Sequence, residues 1–166
     1  MSHFSFDNPI GACPGCSGFG FNLDLDEDLV VPEPRKTLKN GAIDPFIKPA
    51  SIEWHEQMLL FCEKHHINIG KRYEDLNIKE KELLWNGDGL SFVGIRGCFE
   101  ELKKKRYKLH VRVFIRRYQK PKLCSQCKGA RLRKESSAVK IGFSEQLKSL
   151  PEILSLSIEA TQKYFQ

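Results

Sequence analysis

Gly11-Ala12-Cys13-Pro14-Gly15-Cys16-Ser17-Gly18-Phe19-Gly20 has a counterpart far downstream, Leu123-Cys124-Ser125-Gln126-Cys127-Lys128-Gly129-Ala130-Arg131-Leu132. Both are C-x-x-C-x-G knuckles. A C-x-x-C turn lets two sulfurs reach one ion about 2.3 Å away, and four thiolates fill a closed tetrahedral zinc site. The glycine after each pair permits backbone conformations that other residues resist. It also lets amide N–H groups approach the sulfurs and tune their charge. One such pair is weak evidence. Two with the same extension predict that Cys13, Cys16, Cys124 and Cys127 share a single zinc, one per chain. Between Cys16 and Cys124 lie 107 residues, so the ion would fix both ends of a long insertion. Two rival readings remain. A redox dithiol usually opens a helix in a strand–helix context, which neither knuckle has. Two separate half-sites, completed by chain outside this sequence or by a second molecule, are the other.

Working outward, the 166-residue chain suffices for one domain, or for a small module carrying an inserted one. Its hydrophobic fraction of 40% is globular. No apolar run approaches the roughly 18 residues of a membrane helix. The opening Ser2-His3-Phe4 is unlike a secretory leader, so the expected compartment is the cytoplasm. There, paired cysteines point to metal or redox chemistry instead of disulfides. Cys62 and Cys98 stand in apolar settings and are expected to be buried small hydrophobes. The five histidines are poorer ligand candidates. His65-His66 ends a predicted helix and is expected to face solvent.

The coarse pattern predicts an α+β fold: a small four-cysteine zinc module with an insertion of helices and short strands. The expected organisation is zinc module over 4–49, insertion domain over 50–120, and the second part of the zinc module over 121–166 with the start of a following ABC-type segment. Leu29-Val30-Val31 reads as a short strand in an otherwise irregular, proline-broken stretch. Helical spacing of Ile52, Met58, Leu59, Phe61 and Cys62 predicts a helix over 51–66, with Ser51 as cap and Gly70 closing the unit. A short helix over 79–85 follows Asn77. Asn86-Gly87-Asp88-Gly89 is a turn, and Leu90–Val93 reads as a strand. Helices are predicted over 98–107 and 110–118, although alternation in 109–115 leaves a strand open there. Pro121 stops the second of these. A strand over 138–141 and a Ser157-capped helix over 158–165 complete the reading.

Charge is segregated. From Arg96 to Lys134 there are fifteen Lys/Arg against Glu100 and Glu101, a local +13 that leaves −7 for the rest of a +6 chain. Such segregation is the footprint of a polyanion-binding surface. Lys103, Lys104, Lys105, Arg106, Arg112, Arg116 and Arg117 are the candidate phosphate contacts, joined by Arg131 and Arg133 behind the second knuckle. Tyr107, Phe114 and Tyr118 interleave with them; aromatics can stack on unpaired bases, although Phe114 suits a core better. No major-groove recognition motif is visible. The chain has no phosphate-binding G-x-x-x-x-G-K-[ST] loop, no serine elbow and no H-E-x-x-H, so no catalytic residue is assigned.

Phe4-Ser5-Phe6-Asp7-Asn8-Pro9-Ile10-Gly11-Ala12-Cys13-Pro14-Gly15-Cys16-Ser17-Gly18-Phe19-Gly20 closely resembles a stretch in the first half of the UvrA family, the damage-recognising ATPases of bacterial nucleotide excision repair. Leu23–Pro34 and Leu38-Lys39-Asn40-Gly41-Ala42-Ile43 resemble the segment that follows it there. Cys124–Leu132 is similar to the family's "C--C-G-RL", and Leu156-Ser157-Ile158-Glu159-Ala160 to the helix leading into its ABC signature region. The middle, about 50–120, matches the family's variable insertion only in character. The resemblance implies a zinc module whose loop holds a DNA-contacting domain. It also implies a parent that hydrolyses ATP, dimerises and hands damage to a UvrB-type partner. The family's preceding cysteine pair and its nucleotide- and UvrB-binding segments are not in this sequence. The expectation is therefore a non-enzymatic fragment without an ATP site, meeting intact or damaged double-stranded DNA.

Two other functions stay open. The knuckles also resemble the zinc region of DnaJ-type chaperones, which bind unfolded polypeptide, but that family uses four of them. A protein-docking module would use the same basic face on an acidic partner.

Overall fold

The computed structural model describes residues 2–142 and 147–166, with the backbone alone at Ala50. The fold is α+β, built from helices and two small sheets. The chain forms two compact units, residues 1–24 with 121–166, and residues 25–120.

Unit 25–120 carries the hydrophobic core. It opens with α1, Glu27–Val30, a single turn whose first amides are met by Asp26: its carboxylate accepts from Leu29 N at 3.3 Å. The strand expected at 29–31 is therefore a capped helical turn. Local capping outweighs the β propensity of two valines. Helix α2, Ile52–Lys64, buries Met58, Phe61 and Cys62. Ser51 sits at its N-cap position without a side-chain capping bond. The helix ends before Gly70, at His65 and at His66, whose φ is +57°. Helix α3, Ile78–Asn86, starts with a complete capping box: Asn77 Oδ1 accepts from Glu80 N at 2.8 Å, and Glu80 Oε2 from Asn77 N at 2.7 Å.

The strand expected at 90–93 is absent. Asp88 Oδ1 accepts from the amides of Leu90, Ser91 and Phe92 at 3.0, 2.8 and 3.1 Å. Those amides, once taken by one carboxylate, have no ladder left to join. Helix α4, Gly94–Lys104, starts earlier than expected and ends three residues sooner. Helix α5, Leu109–Arg117, resolves the helix–strand alternative in favour of helix.

Aromatics knit this core. Phe92 lies 6.1 Å from Phe46 and 5.2 Å from Phe61 between ring centroids. Phe99 stacks on Phe114 at 6.1 Å and meets Tyr118 edge-on at 5.6 Å. Buried hydroxyls find partners: Tyr118 donates to Asp44 at 2.7 Å, and Tyr73 donates to Glu27 while accepting from Trp85 Nε1, both at 2.9 Å.

Strands β1, Phe21–Leu25, and β2, Gln119–Leu123, pair in a two-stranded sheet. Cys124 N donates to Gly20 O and Asp26 N to Tyr118 O, each at 3.0 Å, so the strands run antiparallel. The unit boundaries, 24/25 and 120/121, fall inside these strands. Pro121 lies within β2 instead of merely stopping a helix. In a two-stranded sheet both strands are edges, where a missing N–H is tolerated.

Among the described residues, unit 1–24/121–166 has little apolar core beyond its cysteines. Its C-terminal part is two short strands, β3 (Lys140–Ile141) and β4 (Lys148–Ser149), followed by α6 (Leu150–Leu154) and α7 (Ile158–Phe165). Ser157 caps α7 through Ala160 N at 3.2 Å, as the sequence predicts.

Candidate metal centre and basic surface

The two knuckles fold alike. In each, the two residues after the second cysteine take left-handed backbone angles: Ser17 and Gly18 at φ +49° and +81°, Lys128 and Gly129 at +48° and +92°. A Cβ at Gly18 would overlap the carbonyl oxygen of Phe6. The knuckles are held side by side by backbone hydrogen bonds, Cys13 N to Arg131 O and Arg133 N to Gly11 O, both 2.9 Å. An isolated bridge between Ala12 and Leu132 adds to them.

The four sulfurs of Cys13, Cys16, Cys124 and Cys127 lie within 4.8 Å of one another, three of these residues being buried. Cys13 Sγ is 3.9 Å from Cys124 Sγ, and Cys16 Sγ is 3.6 Å from Cys127 Sγ. A tetrahedron with Zn–S arms of about 2.3 Å has edges of about 3.8 Å. The spacing therefore fits one tetrahedral ion, and it is too long for S–S bonds. Gly20 N donates to Cys16 Sγ at 3.1 Å, the amide–sulfur contact that the glycine extension leads one to expect.

The surroundings act on these thiols in opposite directions. Burial pushes the Cys13 and Cys16 thiols up, Cys16 to about 12. Backbone N–H groups of Cys127 and Gln126 pull Cys124 down to about 7 against the opposing effect of burial. Four thiolates so close together repel one another. A divalent cation held among them would supply the charge that lets all four ionise.

The basic residues fall into two sets. Lys103, Lys104, Lys105, Arg106, Arg112, Arg116 and Arg117 belong to unit 25–120; Arg131 and Arg133 belong to the other. In the first set Lys103 is partly engaged by Glu100 at 2.6 Å. Arg116 donates to Gln119 O at 2.8 Å. Lys104, Lys105, Arg106, Arg112 and Arg117 are exposed and make no ion pair among the described residues. Arg112, Arg116 and Arg117 surround a shallow hollow on α5 with Val113.

Arg131 and Arg133 have local work. The Arg131 guanidinium sits 3.5 Å from the Phe6 ring centroid, and its Nε donates to Gly18 O at 2.7 Å. Arg133 donates to Pro9 O at 3.1 Å. Both line a cavity of about 470 Å³ beside Cys13. They brace the knuckles as well as carrying charge, a role the sequence reading missed; the only signal for it was their place directly after the second pair.

The aromatics also separate. Tyr118 is buried, so it is not open to a base; Phe114 is half-buried in the core, as expected; Tyr107 is exposed. His65 is not solvent-facing: it is half-buried against Phe61, 4.4 Å between ring centroids, with Nε2 3.3 Å from Asp88 Oδ2. His66 is exposed. Cys62 and Cys98 are fully buried, and burial pushes both thiols up to about 12.

A family described as the UvrA DNA-binding domain matches residues 26–112, just over half of the chain. The chain belongs to the UvrA DNA-binding domain family. UvrABC system protein A of Staphylococcus epidermidis is 31% identical over 183 aligned positions, which cover 98% of this chain and 19% of that protein. The corresponding protein of Halalkalibacterium halodurans is 32% identical with the same coverage. The chain thus spans about a fifth of the length of these UvrA relatives. In fold it is similar to the crystal structure of UvrA2 from Deinococcus radiodurans, with a TM-score of 0.66 and 18% identity over 97% of this chain and 22% of that one. No helix of the described residues is long and apolar enough to cross a membrane.

Proposed function

We propose that this chain is a zinc-stabilised DNA-binding module of a UvrA-type protein, contributing to the binding of damaged DNA in nucleotide excision repair. The observation that carries the reading is the UvrA DNA-binding domain match over 26–112, a stretch that contains the exposed cations Lys104, Lys105, Arg106 and Arg112. The DNA-contacting role is proposed for the insertion, 50–120, and the metal role for the segments flanking it. Neutralising phosphates releases counterions, so binding of this kind weakens steeply as salt rises. No catalytic role is assigned to any residue here. ATP hydrolysis and hand-over to a UvrB-type partner, like a cytoplasmic location, are proposed for the parent protein as a whole. Zinc is the proposed occupant of Cys13, Cys16, Cys124 and Cys127, supported by the all-sulfur donor set and its spacing.

The test is fluorescence anisotropy of the zinc-loaded chain with a labelled duplex across a salt series. Affinity should fall steeply with salt, and Lys104→Gln with Lys105→Gln should flatten the slope. No binding at low salt would sink the DNA-binding reading. One observation favours a second reading: Leu109 and Val113 are exposed beside the α5 arginines, which would suit an acidic, partly apolar peptide of a repair partner. DNA that fails to compete with such a peptide would favour that reading.

A further inference from the structure

The turn joining α4 to α5, residues 105–108, presents one ring among cations. Tyr107 is 76% exposed. Lys104, Lys105, Arg106 and Lys108 around it are exposed and make no ion pair among the described residues. The turn is nonetheless ordered: Lys105 N donates to Leu102 O at 2.9 Å, Arg106 N to Lys103 O at 3.2 Å and Lys108 N to Lys105 O at 3.1 Å. The other tyrosines are engaged. Tyr73 and Tyr118 are buried with hydrogen-bonded hydroxyls, and Tyr164 donates to the Ile141 carbonyl. The Tyr107 ring is largely open to solvent among the described residues. Lys108 Nζ stands 5.7 Å from the ring centroid.

A ring held out on an ordered cationic turn has two properties that a solvated lysine run lacks. It offers a flat π-face, and its neighbours supply the charge that draws a phosphate backbone towards it. A paired and stacked base has no face to give. An unpaired or unstacked base does, and stacking on an aromatic side chain tolerates any base. Building on the DNA-binding reading, we propose that Tyr107 stacks on an unpaired base, so that this turn prefers DNA with a locally opened helix over an intact duplex. The cations hold the backbone and the ring reads the opening.

The test uses the zinc-loaded full chain and two labelled duplexes of equal length, one fully paired and one with a single unpaired 2-aminopurine. The wild-type chain should bind the second more tightly, on the order of 5- to 100-fold, and quench the 2-aminopurine. Tyr107→Ala should lose both the preference and the quench while keeping its affinity and salt slope for the paired duplex. Tyr107→Phe should keep all of them, because the stack needs the ring and not the hydroxyl. Equal preference and quench in wild type and Tyr107→Ala would overturn the stacking role and leave duplex binding intact. Failure of the wild type to bind either duplex at low salt would overturn both readings.

Discussion

At the scale of single residues, local hydrogen-bond chemistry decides conformations that residue type alone misjudges. Asp88 is the clearest case. Bonds from the Ser91 hydroxyl and from the amides of Leu90, Phe92 and Ser91 hold its carboxyl well below the usual range. Its partners Lys64 and His65, both at 3.3 Å, join the loop to α2. Glu152 is similar: bonds from the Ser149 hydroxyl and amide, with Lys140 beside it, lower it from 4.5 to about 2. A lowered carboxyl contributes stability above its unfolded value and loses it as pH falls through the folded one. Protection of the α6 amides, taken relative to their intrinsic exchange rate at each pH, should therefore hold above pH 4.5 and decline as pH falls from 4.5 towards 2, and Glu152→Gln should remove that dependence. The left-handed pairs after Cys16 and Cys127 give a second expectation. Gly18→Ala, at φ +81° and against the Phe6 carbonyl, should cost about 1–3 kcal/mol in the zinc-loaded chain, measured by denaturant unfolding.

At the scale of elements, packing and capping divide the work. Phe99, on α4, is fully buried, with its ring against those of Phe114 and Tyr118. Phe99→Ala should destabilise unit 25–120 by about 3–5 kcal/mol in urea unfolding, without changing the cysteine site. Neutralising the solvent-facing Lys104 should instead leave stability unchanged and reduce the salt slope of DNA binding by about 1. The sequence made some of these elements legible and hid others. Helices α3 and α7 could be read because Asn77 and Ser157 announce their starts. The four-cysteine cluster could be read because the same spacing occurs twice. The 29–31 and 90–93 segments were misread because Asp26 and Asp88 act on amides two to four residues ahead, which hydrophobic pattern does not register. Strand β1 was hidden although Phe21, Leu23 and Leu25 alternate, since the knuckle before it dominates the reading. Which cations stay free was also hidden: Arg131 and Arg133 are drawn onto Phe6, Gly18 and Pro9 from more than a hundred residues away.

At the scale of the whole chain, the two units rest on different forces. Unit 25–120 has the aromatic and aliphatic core, whereas the buried cluster among the described residues of unit 1–24/121–166 is made of cysteines. Metal binding and folding are coupled in small cysteine modules. A strong chelator should therefore raise amide exchange across residues 2–24 and 121–142 while leaving α2 to α5 protected. A 25–120 fragment should give a cooperative melt with no metal dependence. Cys13→Ser that keeps one tight zinc per chain and an unchanged melt would refute the four-cysteine site.

The antiparallel pairing of β1 with β2 has a consequence for the order in which the chain assembles. In the unfolded chain, bringing Cys16 to Cys124 means closing a loop of 107 residues. Once 25–120 has folded, Asp26 N and Tyr118 O are 3.0 Å apart, and the loop left to close shrinks to the fourteen residues 17–25 and 119–123. The logarithmic length dependence of closure makes that step easier by about 2 kcal/mol. Metal capture should thus trail the folding of the insert, and a sequence that slows the insert should delay zinc uptake by the same interval while leaving the final affinity of the site untouched.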